Sequence, residues 1–139
     1  MSHSRRNDRT LLDFLLEYDR VVEIGIGRRT ELAAALADRG VSVTATDVHR
    51  REAPDGVRFV RDDIVDPDPA VYANADAIYA RNLPPELHRP ALEVARIAGA
   101  AFAFTTLGGD QPAVPVERRT IREGTLYVAR TPAGDVDGD

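Results

Sequence analysis

Apolar and polar positions along the chain switch repeatedly between a helical and a two-residue period. Leu11, Leu15 and Tyr18 recur at helical spacing with Phe14 beside them, which predicts a first helix capped by Asn7 or Asp8 and covering one edge of a sheet. RVVEIG at 20–25 then reads as a short apolar strand. TELAAALADRG at 30–40 reads as a helix: Thr30 offers an N-cap, Leu32, Ala35 and Leu36 form the buried stripe, and Gly40 the stop. VSVTATD at 41–47, rich in β-branched residues, completes a strand–helix–strand unit.

The later segments continue the alternation. Residues 48–56 carry Pro54 and an Asp-Gly turn signal and predict a loop before the strand VRFV. A nine-residue link is short for a parallel crossover, which usually takes about a dozen residues or more, so a helix of the usual fold is missing here. A helical turn near Val71 to Ala73, a strand in ADAIYA and a helix from about Pro90 to Ala98, ended by Gly99, come next. AAFAFTTL predicts a central strand, and ERRTIREGTLYVAR an antiparallel hairpin turning at Glu123-Gly124, with edge arginines that discourage further pairing. The sum is a three-layer α/β/α Rossmann-like sandwich, its sheet mostly parallel with a C-terminal antiparallel hairpin. Residues 1–130 form one such domain, and 131–139, TPAGDVDGD, a flexible acidic tail.

Composition narrows the chemistry. Cysteine is absent, which removes disulfides, thiolate metal sites and cysteine nucleophiles. All 18 basic residues are arginine, aspartate outnumbers glutamate, and the net charge is -5, a surface suited to strong salt and to a halophile, although a strongly GC-biased genome would give the same arginine preference. That charge argues against nucleic acid as the main partner. No long apolar run or signal-peptide core is present, so the protein reads as soluble and cytoplasmic, with no membrane partner. Self-association or a protein partner stays open.

Ligands of open α/β sheets sit outside the carboxyl ends of the strands, where strand order reverses. On that rim the sequence places Glu23, Gly25 and Gly27 after the first strand and Asp47 at the end of the second. Asp62 and Asp63 follow the third strand, Arg81 and Asn82 the fourth, and Gly108, Gly109 and Asp110 the fifth. The two glycines permit a tight turn and close approach of a ligand to a helix N-terminus. Asp47, twenty residues beyond Gly27, stands where a carboxylate accepts from both ribose hydroxyls. Together they point to an adenosine-type ligand.

These stretches resemble the class I S-adenosylmethionine-dependent methyltransferases from Arg20 to Arg130. VVEIGIG is similar to their first motif, TATDV to the second with its ribose-binding acid, VRFVRDDIVDP to the third, and ADAIYARNLPPEL lies where the fourth falls. The final hairpin matches their last two strands. The resemblance implies S-adenosylmethionine as cofactor, Glu23 orienting its methionine end, Gly25 and Gly27 beneath the amino acid moiety, Asp47 on the ribose and Asp63 facing the adenine amino group. Arg29 departs from that pattern by replacing a third glycine, and no insertion is long enough for a substrate-recognition subdomain. RNLPPEL resembles the Asn-Pro-Pro-aromatic signature of amino-nitrogen methyltransferases, but Leu83 intervenes and Glu86 replaces the aromatic. The compact layout also resembles a family of small archaeal proteins of unknown function with a pared-down Rossmann fold.

Two alternatives remain. An NAD or NADP site would use Arg28 and Arg29 for a pyrophosphate, although Thr30 stands where its third glycine belongs and Asp47 would repel a 2′-phosphate. A non-catalytic interaction module would keep the fold without turnover. Arg28 and Arg29 otherwise read as a solvent-facing pair. Asn82 could orient an acceptor and His88 take its proton, but His88, beside Arg89 at a helix start, reads as a surface histidine, so catalytic residues and the acceptor stay unassigned. His49 belongs to the loop after Asp47 and His3 to the N-terminal end. The aspartates at 62, 63, 66 and 68 read as a solvated acidic loop without Ca²⁺-loop spacing, and the histidine spacing supports no metal site.

Overall fold

The computed structural model describes residues 9–130. His3, Asn7, Asp8 and the expected acidic tail at 131–139 lie outside them. Helix α1 (Leu11–Leu15) is capped by Thr10, whose side chain accepts from Asp13 N while the Asp13 carboxylate accepts from Thr10 N. Strand β1 (Arg20–Ile24) leads through the glycine turn into α2 (Glu31–Asp38), followed by β2 (Ser42–Asp47) and β3 (Val57–Arg61). A single helical turn, α3 (Pro69–Tyr72), precedes β4 (Ala77–Ala80). A 3₁₀ turn at Pro85–Leu87 runs into α4 (His88–Ala98), and β5 (Ala101–Phe104), β6 (Val116–Ile121) and β7 (Gly124–Ala129) complete the chain.

The seven strands lie in the order β3-β2-β1-β4-β5-β7-β6. β3, β2, β1, β4 and β5 are mutually parallel, and β7 pairs antiparallel with both β5 and β6. The order reverses between β1 and β4, which opens the crevice that ligands of such sheets use. The link at 48–56 carries no helix, as its length requires.

Each strand serves two cores because successive side chains point to opposite faces. Val22, Ile24, Ile78, Phe102 and Phe104 face Tyr72 and the Ala91, Val94 and Ala95 stripe of α4. Val21, Val43, Ala45, Tyr79 and Ala103 face Leu11, Phe14 and Leu15 of α1 and Ala33 and Leu36 of α2. The sandwich is therefore α/β/α, with α1 and α2 on one side and α3 and α4 on the other. On α2 the fully buried positions are Ala33 and Leu36, while Ala35 is half-buried, so the stripe sits rotated from the predicted one. Thr30 occupies the N-cap position of α2 without making a side-chain cap.

Two further details differ from the sequence reading. The hairpin turns at Arg122-Glu123, one residue early, because Gly124 pairs with Ile121 and opens β7. The acidic loop is not merely solvated: Asp62 accepts from the Tyr72 hydroxyl at 2.7 Å and from Asp68 N at 3.0 Å, and Asp68 caps α3. Glu123 also reaches across the chain, its carboxylate oxygens accepting from Leu11 N at 3.2 and 3.3 Å and closing the start of α1. Glu123→Ala is expected to cost about 1 kcal/mol, the net value of such a bond. A lowered midpoint in denaturant unfolding at constant salt is the measurement.

Candidate functional site

The turn after β1 places Gly25 at φ 67° and Gly27 at φ 58°. A side chain at either position would strain the backbone, and a Cβ there would meet no atom within 4 Å, so the space above the turn is open. Ile26 between them is buried and extends the β1–β2 pairing through its N–H to the Thr46 carbonyl at 2.9 Å.

Asp47, at the tip of β2, turns its carboxylate onto this turn. Oδ2 accepts from Gly27 N at 2.9 Å, Oδ1 accepts from His49 N at 2.9 Å, and the Arg51 guanidinium forms an ion pair at 3.5 Å. Burial raises the Asp47 pKa most, but the amides of His49 and Gly27 together with Arg51 outweigh it and hold the carboxyl below its ordinary value. A carboxylate has about four acceptor directions, so two amides and one ion pair leave capacity for a further donor. Arg51 spends its charge on Asp47, and His49 is exposed in the following loop.

Asp63 follows β3 on the neighbouring loop and is exposed. Its Oδ1 accepts from Val65 N at 2.9 Å within a tight turn closed on Asp66. The loops after β2 and β3 are joined through Asp62 N to the Asp47 carbonyl and Arg61 Nε to the Val48 carbonyl. On these two loops Val48 and Val65 are 48% and 64% exposed, unusual for large apolar side chains.

Glu23 is the feature whose setting the sequence did not convey. Only 1% exposed, it accepts from the Tyr79 hydroxyl at 2.8 Å and from Arg81 Nη2 at 3.2 Å. Arg81 Nη2 also donates to the Arg29 carbonyl at 2.6 Å. Arg81 thus spans the β1–β4 switch point and seals Glu23 from solvent. Burial raises the Glu23 pKa, opposed by Arg81, by the Tyr79 hydroxyl and by Arg29. Arg28 and Arg29 are exposed, as their solvent-facing reading expects.

His88 corrects the sequence reading. It is fully buried, not a surface histidine: Nε2 lies 2.9 Å from the Leu83 carbonyl, Nδ1 accepts from Ala113 N at 3.0 Å, and the ring packs 4.4 Å from Phe104. The pair of partners sets the tautomer, with the proton on Nε2. His88 ties the loop after β4 to the loop after β5 and is not free to take an acceptor's proton. The same bond occupies the Leu83 carbonyl in RNLPPEL, while Leu83 itself is buried and Leu83 N donates to Thr105. Asn82 stands exposed at the rim with φ 54°, a conformation asparagine tolerates. Gly108, Gly109 and Asp110 lie exposed in the loop after β5.

With strand order and rim in place, comparison with known proteins locates the chain. The model of an uncharacterised protein family, UPF0146, matches residues 13–132. The chain belongs to that family. A UPF0146 protein of Halobacterium salinarum is 55% identical over 122 residues, covering 87% of this chain and 95% of that protein. The acidic, lysine-free surface accords with such a relative. Among solved structures, a protein described as a Zn-dependent alcohol dehydrogenase from Rhodobacter sphaeroides matches with a TM-score of 0.55 at 25% identity, over 76% of this chain and 48% of that one. The N-terminal domain of EvdMO1, solved in the presence of SAH and D-fucose, matches with a TM-score of 0.53 at 16% identity, over 86% of this chain and 64% of that one. The UPF0146 chain therefore spans about half of the first structure and less than two thirds of the second, and the likeness is one of Rossmann-like fold. Among the described residues no helix is long and apolar enough to cross a membrane.

Two outcomes follow for the site. A Glu23 pKa raised above its ordinary 4.5 means that the folded state keeps a proton which the unfolded chain has released, so this group's contribution to stability falls as pH rises through that window. Glu23→Gln is therefore expected to gain stability relative to wild type as pH rises above the ordinary glutamate value of 4.5, read from denaturant midpoints across pH. His88→Ala, which deletes a packed ring and two hydrogen bonds, is expected to cost about 3 kcal/mol in the same assay.

Proposed function

We propose that this chain binds S-adenosylmethionine across the carboxyl ends of β1, β2 and β3, as the methyl donor for a small acceptor. The observation that carries the reading is the 2.9 Å hydrogen bond from Gly27 N to Asp47 Oδ2, which brings the acid at the tip of β2 against the open glycine turn. Its remaining acceptor direction suits a ribose hydroxyl. Val48 and Val65 offer apolar surface for the adenine ring, and Asp63 keeps Oδ2 for the adenine amino group. Glu23 lies behind Arg81, so in this reading it acts on the methionine end through Arg81, not by direct contact. The fold shared with a domain crystallised with SAH supports the reading at the level of architecture.

A nicotinamide dinucleotide is the competing reading, favoured by the exposed Arg28 and Arg29 beside the start of α2. Against it, Thr30 follows the turn where the dinucleotide fingerprint has glycine, and Arg51 is already committed to Asp47 and so is unsuited to a 2′-phosphate.

Isothermal titration with S-adenosylmethionine, S-adenosylhomocysteine, NAD and NADP, in strong and in dilute potassium chloride, tests the proposal. The two adenosyl ligands are expected to saturate a single site. Asp47→Ala should weaken them by roughly 1.5–3 kcal/mol, the scale of a hydrogen bond to a charged group. Asp63→Ala should weaken them by about fivefold and cost no more than about 1 kcal/mol in unfolding, because the exposed side chain makes a local hydrogen bond to Val65 N. Saturation by the dinucleotides alone would overturn the assignment, and saturation by none would leave an interaction module.

A further inference from the structure

A cavity of about 220 Å³ lies beside the glycine turn, at the tips of β4 and β5 and roofed by the start of α1 and the β6–β7 turn. Its polar lining includes Arg29, Arg81, Asn82, Thr105, Thr125 and Glu123. The internal bonding of these groups leaves a surplus of donors. Arg81 Nε is buried with no hydrogen-bond partner among the described residues. The Arg29 guanidinium is exposed and makes no ion pair among them, its carbonyl alone being used, by Arg81. Thr105 Oγ1 accepts from Asn82 N at 2.9 Å, which leaves the hydroxyl proton to donate and sets the Asn82 amide at the cavity lip.

Among the described residues the only carboxylate in the lining, Glu123, is committed to Leu11 N, and Glu23 behind Arg81 is committed to Arg81 and Tyr79. Two guanidinium groups, one with an unmet buried donor, and two neutral donors converge on a space smaller than the roughly 300 Å³ at which drug-sized pockets begin. We infer that this cavity is a subsite for a small molecule bearing a carboxylate or phosphate, held by Arg29 and Arg81 and oriented by Asn82 and Thr105. Its role as the place of the second ligand in the cleft rests on the S-adenosylmethionine reading; its affinity for an oxyanion does not.

The test is titration of ¹⁵N-labelled protein with inorganic phosphate and with acetate at fixed ionic strength, following the amides of Asn82 and Thr105. Saturable shifts centred on these residues are expected with at least one of the two anions. Arg29→Gln, which removes no structural contact of its guanidinium, should weaken that binding about tenfold. Arg81→Gln strips Glu23 of its cation and risks unfolding, so the double variant Glu23→Gln/Arg81→Gln, which leaves the buried position neutral, serves as the second test and should weaken binding similarly. Non-saturating shifts spread over the surface, or wild-type affinity in Arg29→Gln, would overturn the inference. A repeat in the presence of S-adenosylhomocysteine separates the sources of the anion. Undiminished phosphate or acetate binding supports a separate second ligand, whereas competition assigns the cavity to the cofactor's own carboxylate and overturns it. Anion binding without any S-adenosylhomocysteine binding supports the cavity and removes the S-adenosylmethionine reading alone.

Discussion

A carboxylate sealed inside the sheet governs the rim of this protein. Glu23 cannot reach water, so its charge has to be met by groups from other segments, and those groups are Tyr79 and Arg81 of β4 and the loop beyond it. Because Arg81 also holds the Arg29 carbonyl, one guanidinium fixes the tip of β1, the entry to α2 and the loop after β4 relative to one another. Removing charge from water is expensive, and a buried ion pair seldom adds net stability over a well-packed apolar substitute. What it supplies here is position, at the place where the strand order reverses.

Side chains do the same work elsewhere in a fold short of helices. The link between β2 and β3 has none, and neither does the segment from Thr105 to Pro115 between β5 and β6. The first is held where Asp47 accepts from the amide of His49, and the second where His88 accepts from Ala113 N. Asp62 and Asp68 order the approach to α3, and Glu123 joins the C-terminal hairpin to the first helix. An aspartate-rich composition, read as a salt adaptation of the surface, thus also supplies internal caps that stand in for missing packing.

The same economy shapes the candidate site. Asp47 anchors the glycine turn and the loop after β2, and in the proposed reading the same carboxylate meets the ribose. Arg81 is at once the counter-charge of Glu23 and the wall of the neighbouring cavity.

The order of strands and helices, the glycine turn and the placement of Asp47 were legible in the sequence because each is a local matter. Apolar periodicity is set by which residues can face one core, and a positive φ by which residue tolerates it. The burial of His88, the role of Glu123 and the closure of Glu23 by Arg81 were not legible, since each partner lies from five to 112 residues away. His88 and Arg89 are neighbours in sequence and equally polar, and only the approach of Leu83 and Ala113 makes the first a core residue while the second stays outside. The sequence by itself determined a Rossmann-like rim with an acid beside a bare turn. Tertiary structure alone decided which charges there are spent on each other and which remain for a ligand, because pairing depends on distances across strands that no linear pattern encodes.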